Sequence, residues 1–371
     1  MWPGDNSAFF FRRQMESLLF PNYTGYNCTN NTAISIHGPS AADFLRNLLT
    51  YQIVLLILGA FLTFSTFAIG FIECLFVYRN ISSEKRRNKL YFLITLFPVS
   101  NLLMLVGMIS PRAAALAMSG GMLYFLLCLF ILVSLIRHLT QGRNQLSREL
   151  LVSGRQVNFQ SPPFCCLFPC LPEARPTARN LKTLEVIVLQ APIVRAIVLF
   201  IEAGITVEIQ RDAAYEVQLC EFATLVSILL AVFGTHTLAR LVSDRLSKFG
   251  FMWIFRIVDI ALLFFSAQHP ILFQNILLRF DLIGCGGILT PPEHARFICN
   301  FIVICELFFL SVLTIFTATP QRSTHLFDVY GKTQSTASNE EEESLNDPLD
   351  ADSNAPLAPA ASHSVLSAMT R

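Results

Sequence analysis

Charge is scarce in this chain. Only 14% of its 371 residues are Asp, Glu, Lys or Arg, against about a quarter in soluble domains. With 53% of residues hydrophobic, that shortage excludes an ordinary water-soluble globule, because a core of this size cannot hide so much apolar surface. Tryptophan is nearly missing, at 2 residues against 33 phenylalanines, which suits lipid-facing helices without being specific to them. No Walker loop, Ser-His-Asp grouping or nucleic-acid motif stands out. An enzyme and a nucleic-acid binder are therefore both disfavoured, and no catalytic residue or cofactor is expected. His236 is the histidine that lies well inside an apolar run, so no His-based metal site within the membrane is expected either. The opening twenty residues lack a basic start followed by an apolar core of leader length; Phe9, Phe10 and Phe11 are too few, and Arg12 and Arg13 follow. No cleaved signal peptide is expected. The 10 cysteines fit no regular disulfide framework, and several fall in apolar runs as small packing residues.

What the chain has is long apolar runs. A membrane-spanning helix needs about 20 mostly apolar residues. Seven stretches qualify: 51–77, 90–109, 115–136, 184–207, 217–239, 251–272 and 297–319. The run 271–283 is apolar but short and broken, and is expected to be an interfacial turn. The expected fold class is all-α, a seven-transmembrane helix bundle.

Lys and Arg in the connections set the orientation. Arg79, Lys85, Arg86, Arg87 and Lys89 follow the first span. Arg137, Arg143, Arg148, Arg155, Arg175, Arg179 and Lys182 follow the third, and Arg240, Arg245 and Lys248 follow the fifth. The intervening connections hold only Arg112, Arg211, Arg279 and Arg296. Fifteen against four in strict alternation predicts an N-terminus outside and a C-terminus in the cytoplasm. Asn22, Asn27 and Asn30 each begin an N-x-Ser/Thr acceptor pattern on the side so chosen, and N-glycosylation is expected there. Asn80 matches the pattern too, but on the cytoplasmic side, and is expected to be unmodified. Residues 320–371 are polar, with Glu340 to Glu343 in a row and Ala/Pro/Ser repeats; they read as a disordered acidic tail. The expected organisation is a glycosylated segment 1–49, a membrane domain 50–319 containing a Cys-rich cytoplasmic loop 137–182, and the tail 320–371.

Ionisable groups inside spans are costly, so they face the protein interior and take partners. Arg195 and Glu202 lie seven residues apart in the fourth span, on one face. Pro192 and Gln190 precede them. Arg256 and Asp259 are three apart in the sixth span and are expected to neutralise each other. Glu306, near the middle of the seventh span, is expected to pair with Arg195 or Arg256, while Glu73 sits toward the cytoplasmic end of the first. Two roles fit such groups: ion pairs that fix helix packing, or a polar patch that receives the head group of a charged solute.

The third loop holds Cys165, Cys166 and Cys170 among prolines and large apolar residues, from Ser161 to Pro172. No His or further Cys stands at zinc-ligand spacing, and the cytosol disfavours a disulfide. Juxtamembrane cysteines on this side are expected S-palmitoylation sites, which would draw the loop onto membrane lipid. Cys28 and Cys285 are both expected outside, where they could pair.

The basic loop, the Pro/Cys knot from Pro163 to Pro172, and the run Leu184 to Arg195 containing Gln190, Pro192 and Arg195 resemble the alpha subunit of the organic solute transporter and its seven-helix family. The resemblance covers roughly 50–319. It implies a facilitative transporter of amphipathic organic anions, steroid-derived or bile-acid-like, working without ATP or a coupled ion, with a single-pass beta subunit as partner. It also implies lipidation at Cys165, Cys166 and Cys170. The interruption Leu167-Phe168-Pro169 departs from the denser cysteine run of the vertebrate proteins and marks a divergent member. Under this reading the substrate-binding candidates are Arg195, Glu202, Gln190, Glu306, Arg256 and Asp259, in a multi-pass protein of the cell membrane.

Two rival readings are a seven-helix receptor and a membrane organiser that does not transport. The receptor lacks support. The third span ends Leu135-Ile136-Arg137-His138 with no acid before the arginine, and the seventh contains no proline. The organiser shares the lipidated loop and acidic tail and stays open.

Overall fold

The computed structural model describes residues 39–81, 83–154, 156–158, 173–208, 214–247 and 251–317. A short α1 (Ala41–Arg46) precedes the first span, α2 (Thr50–Asn80). The second span is α3 (Glu84–Ile94) followed by α4 (Leu96–Ile109), and the third is α5 (Ala114–Leu139), entered through a 3-10 turn at Pro111–Ala113. A helix at the end with the basic connections, α6 (Arg143–Val152), precedes the fourth span, α7 (Ala178–Glu208), and the fifth, α8 (Ala214–Ser247). The sixth is α9 (Phe251–Ala267), continued by a π-helix at Gln268–Leu277, and the seventh is α10 (Pro291–Thr317). Among the described residues seven helical stretches are long and apolar enough to cross a membrane, and the chain is a seven-transmembrane helix bundle.

The helices run past the expected boundaries where their ends carry charge. α7 starts at Ala178 and α8 continues to Ser247, because a hydropathy window stops at the first charges whereas backbone hydrogen bonding does not. The expected interfacial turn after the sixth span is corrected: Gln268–Leu277 stays helical but widens to π geometry. Pro270 explains the widening, since it cannot donate to the preceding turn and its ring crowds that carbonyl. Pro98 does the same to the second span. The carbonyl of Ile94 loses its donor and the helix breaks at Thr95, whose hydroxyl bonds the carbonyl of Tyr91 at 2.8 Å and the Tyr124 hydroxyl at 2.8 Å.

The bundle is built inside out relative to a soluble protein. On α2 the buried stripe is Gln52, Gly59, Thr63, Thr66, Gly70 and Val77, mostly small or polar. The outward face is large and apolar, with Phe61 64%, Phe64 74% and Phe71 65% exposed. Small residues let helices approach closely where lipid supplies no hydrophobic drive between them. Gly59 faces Met108 and Ile304, and Gly70 faces Pro98, so α2 packs on α4 and α10. The threonine hydroxyls bond back to their own helix, Thr63 to Gly59 at 2.8 Å and Thr66 to Leu62 at 2.9 Å, and Asn101 of α4 donates to Thr66 at 2.9 Å. α5 is the central helix, buried through Phe125, Leu126, Leu129, Leu132 and Leu135 against α4 and α7.

Each end of the bundle is tied. At the end with the basic connections, Glu185 of α7 accepts from Arg137 of α5 at 3.2 Å and from Arg143 of α6 at 3.0 Å. The two-residue strands β1 (Val157–Asn158) and β2 (Glu173–Ala174) pair antiparallel, so the two stems of the Pro/Cys segment meet, and Val157 is fully buried. Cys165, Cys166, Cys170, Asn22, Asn27 and Asn30 lie outside the described residues. At the opposite end Tyr51 and His294 are 2.8 Å apart, and the Nδ1 of His294 lies 2.9 Å from the Gly284 carbonyl. A carbonyl only accepts, so Nδ1 carries the proton and, in the neutral ring, Nε2 accepts from the Tyr51 hydroxyl. Cys285 in this turn is disulfide-bonded; Cys28 lies outside the described residues.

Candidate functional site

The buried seam of α7 reads Leu181, Leu184, Val188, Ala191, Arg195, Val198 and Glu202, a strict three-four alternation that keeps one face inward. Its first four members are apolar, and two of the last three are charged. The seam therefore delivers a guanidinium and a carboxylate into the contact with α5 and α8. The Arg195 side chain reaches along the axis, and one of its terminal nitrogens lies 3.4 Å from Glu202 Oε1. The same nitrogen donates to Thr224 of α8 at 3.1 Å, and the other donates to Ser119 of α5 at 2.6 Å. The Ser119 hydroxyl in turn donates to the second oxygen of Glu202. Arg195 and Glu202 are each 7% exposed. Burial of lone charges at this depth would be prohibitive, so the compensating pair and the two hydroxyls are what allow the seam to be polar.

One turn toward the basic end the polar contact continues. Gln190 and Ser227 exchange bonds, the amide donating to the Ser227 carbonyl at 2.9 Å and the Ser227 hydroxyl donating to Gln190 Oε1 at 2.8 Å. Gln190, Arg195 and Glu202 thus form one continuous polar strip between α7 and its neighbours. Ser119, Thr224 and Ser227 complete it, and their hydroxyls scarcely register in hydropathy, which hid them in the sequence. Ile193, Ile197 and Phe200 of the same helix face outward, so the strip lies one helix away from the apolar exterior.

The other candidates fall elsewhere. Glu306 does not pair with an arginine; it accepts from Gln268, at the start of the π-helix. That pairing is available because α9 and α10 pack together along this stretch. Arg256 and Asp259 do not neutralise each other. Asp259 bonds His236 of α8 at 2.9 Å, while Arg256 is exposed: Arg256 sits near the end of its helix, where a long side chain extends toward the aqueous boundary. Glu73 accepts from Thr314. The Asn80 side-chain nitrogen donates to the Phe76 carbonyl at 2.8 Å. Among the described residues no group of three or more His, Cys, Asp or Glu could hold a metal ion.

Comparison with known proteins gives this arrangement a family. The model of the family described as organic solute transporter Ostalpha matches residues 55–320. The organic solute transporter alpha-like protein 3 of Caenorhabditis elegans is 46% identical over 334 residues, covering 89% of this chain and 94% of that protein. Alpha-like protein 2 of the same organism is 30% identical, covering 81% of this chain and 87% of its own length. The organic solute transporter subunit alpha of Danio rerio is 20% identical over 75% of this chain and 85% of its own length. No solved structure matches. The seven spans, the polar strip on the fourth and the match across the whole bundle lead to one statement: the chain belongs to the organic solute transporter alpha family, a family of multi-pass membrane transport proteins.

Proposed function

We propose that this protein carries amphipathic organic anions, steroid-derived or bile-acid-like, down their gradient across the cell membrane, with Arg195 as the residue that receives the acidic head group. The observation that supports this is a guanidinium held in mid-span by the Ser119 and Thr224 hydroxyls and by the Glu202 carboxylate. A solute's carboxylate or sulfate monoester carries the same single negative charge as Glu202 and can likewise accept from a guanidinium through two oxygens. It can take that place on Arg195 while Glu202 keeps its bond from Ser119, and the apolar body rests against the Ile- and Phe-rich flank of α7. The exchange conserves buried charge balance only if the freed carboxylate takes up a proton or meets water, which opening of the helix contacts would admit. A single-pass beta subunit, a cytoplasmic C-terminus, palmitoylation at Cys165, Cys166 and Cys170, and sugars on Asn22, Asn27 and Asn30 belong to the same proposal.

Neutralisation of Arg195 within the chain also favours a second reading, a non-transporting organiser of membranes in which the cluster only pins α7 to α5 and α8. Vesicles containing the purified chain, alone and with a candidate beta subunit, separate the two. Saturable, ATP-independent uptake of a steroid sulfate supports the carrier. Uptake no faster than in empty vesicles in both preparations overturns it.

A further inference from the structure

The contact between α8 and α9 holds a second charged group that the polar strip on α7 does not use. His236 and Asp259 bond across it at 2.9 Å, which fixes how the two helices face each other. The helices are antiparallel, so stepping toward their shared connection means rising in number on α8 and falling on α9. Arg240 is four residues on from His236, and Arg256 is three residues back from Asp259. Each therefore lies on the same face as its partner in the pair, about one turn nearer the connection. Both arginines are exposed. Arg240 lies about 10 Å from the end of α8 at Ser247 and Arg256 about 8 Å from the start of α9 at Phe251, taking ~1.5 Å per residue. They stand at nearly the same depth, one on each wall of the seam.

The surroundings are consistent with one kind of occupant. Four of the five Asp, Glu, Lys and Arg residues from Arg240 to Arg256 are basic, Asp244 being the exception. Deeper in the seam the α9 wall becomes apolar and outward-facing, with Ile260 39% and Leu263 61% exposed. Trp253 is 54% exposed, three residues before Arg256, at the level where aromatic side chains mark a membrane interface. The loop charges put this end of the bundle on the cytoplasmic side, whose leaflet carries the anionic lipids. Arg256 and Arg240 thus give cationic heads just below the headgroup layer, with an apolar flank of α9 running from them toward the bilayer centre.

We propose that the α8–α9 seam is a binding site for an acidic phospholipid of the cytoplasmic leaflet, its headgroup held between Arg240 and Arg256 and an acyl chain lying past Ile260 and Leu263. The His236–Asp259 pair sets the spacing of the two walls. The site is separate from the Arg195 strip and does not depend on the transport reading.

Trp253 reports on the seam directly. In a Trp2→Phe background it is the sole tryptophan, and the full chain can be placed in phosphatidylcholine vesicles carrying brominated phosphatidylserine or brominated phosphatidylcholine. The site predicts half-maximal quenching at a several-fold lower mole fraction of the brominated serine lipid. The Arg240→Gln/Arg256→Gln variant should lose that preference, whereas Arg240→Lys/Arg256→Lys and Arg195→Gln should keep most of it; a matching thermal transition shows that each variant is folded. Equal quenching by the two lipids in the parent chain overturns the proposal, as does a preference that survives the double Gln variant. Displacement by a steroid sulfate, without any preference between the lipids, assigns the seam to the solute and overturns the lipid site.

Discussion

Replacing Glu202 by Gln separates the two roles of the Arg195 cluster. In the parent chain the carboxylate and the guanidinium are 3.4 Å apart, an attraction of about 5 kcal/mol at an effective dielectric of ~20. Desolvation of both groups offsets most of it. If the net interaction is about 1.4 kcal/mol, a solute anion that must displace Glu202 binds about tenfold more weakly than it would to an uncompeted Arg195. Glu202→Gln keeps the shape and the bond from Ser119 but removes the competitor. The variant should therefore take up a steroid sulfate with an apparent KM lowered about tenfold, measured as initial rates in proteoliposomes. Without solute the buried guanidinium loses the Glu202 charge, so its thermal transition should fall, by up to the ~3–5 kcal/mol typical of a broken buried pair. Saturating solute should then raise that transition more than it does in the parent chain, because the ligand restores the missing charge. An unchanged KM together with an unchanged solute-induced shift in Tm would refute the idea that solute and Glu202 share one partner.

Three further outcomes follow from particular contacts. A Cβ on Gly121 would sit 2.6 Å from the Phe265 ring, and Phe265 also packs on Phe125 with centroids 4.9 Å apart, so Gly121→Ala should destabilise by about 1–3 kcal/mol, read as a lowered Tm in detergent. Glu185→Ala frees Arg137 and Arg143 together, but these arginines are 41% and 33% exposed, so solvent screening limits the loss to about 1 kcal/mol; a loss several times larger would mean that the contact is far drier than it looks. Removing Asn22, Asn27 and Asn30 together by Asn→Gln should abolish the glycosidase-sensitive mobility shift of the protein made in eukaryotic cells, while Asn80→Gln alone leaves it intact.

Much of the bundle is legible in the residues because lipid imposes a simple rule: every spanning backbone must bond to itself, so apolar runs of the right length become helices. The positions of all seven spans come from that rule. The same rule says nothing about Pro270, where the helix widened instead of ending, or about α6, whose stability comes from packing on α7 rather than from its own apolar content. At the site, Arg195 and Glu202 were legible as sharing one face, because the helical period alone puts them there, though not as partners of each other. Their hydroxyl partners Ser119 and Thr224 were not, since they come from other helices and look neutral by composition. Glu306 and Asp259 were misassigned for the same reason. Sequence spacing ranks partners on one helix, but the choice of Gln268 and His236 depends on which helices touch.

The proposed hold of Arg195 on the solute is tested by flux through matched variants. Arg195→Gln/Glu202→Gln removes both charges of the pair together, so it should fold and enter vesicles as the parent chain does. Its saturable steroid sulfate uptake should fall to the rate of empty vesicles. Uptake by that folded double variant at the parent chain's KM and maximal rate would contradict it.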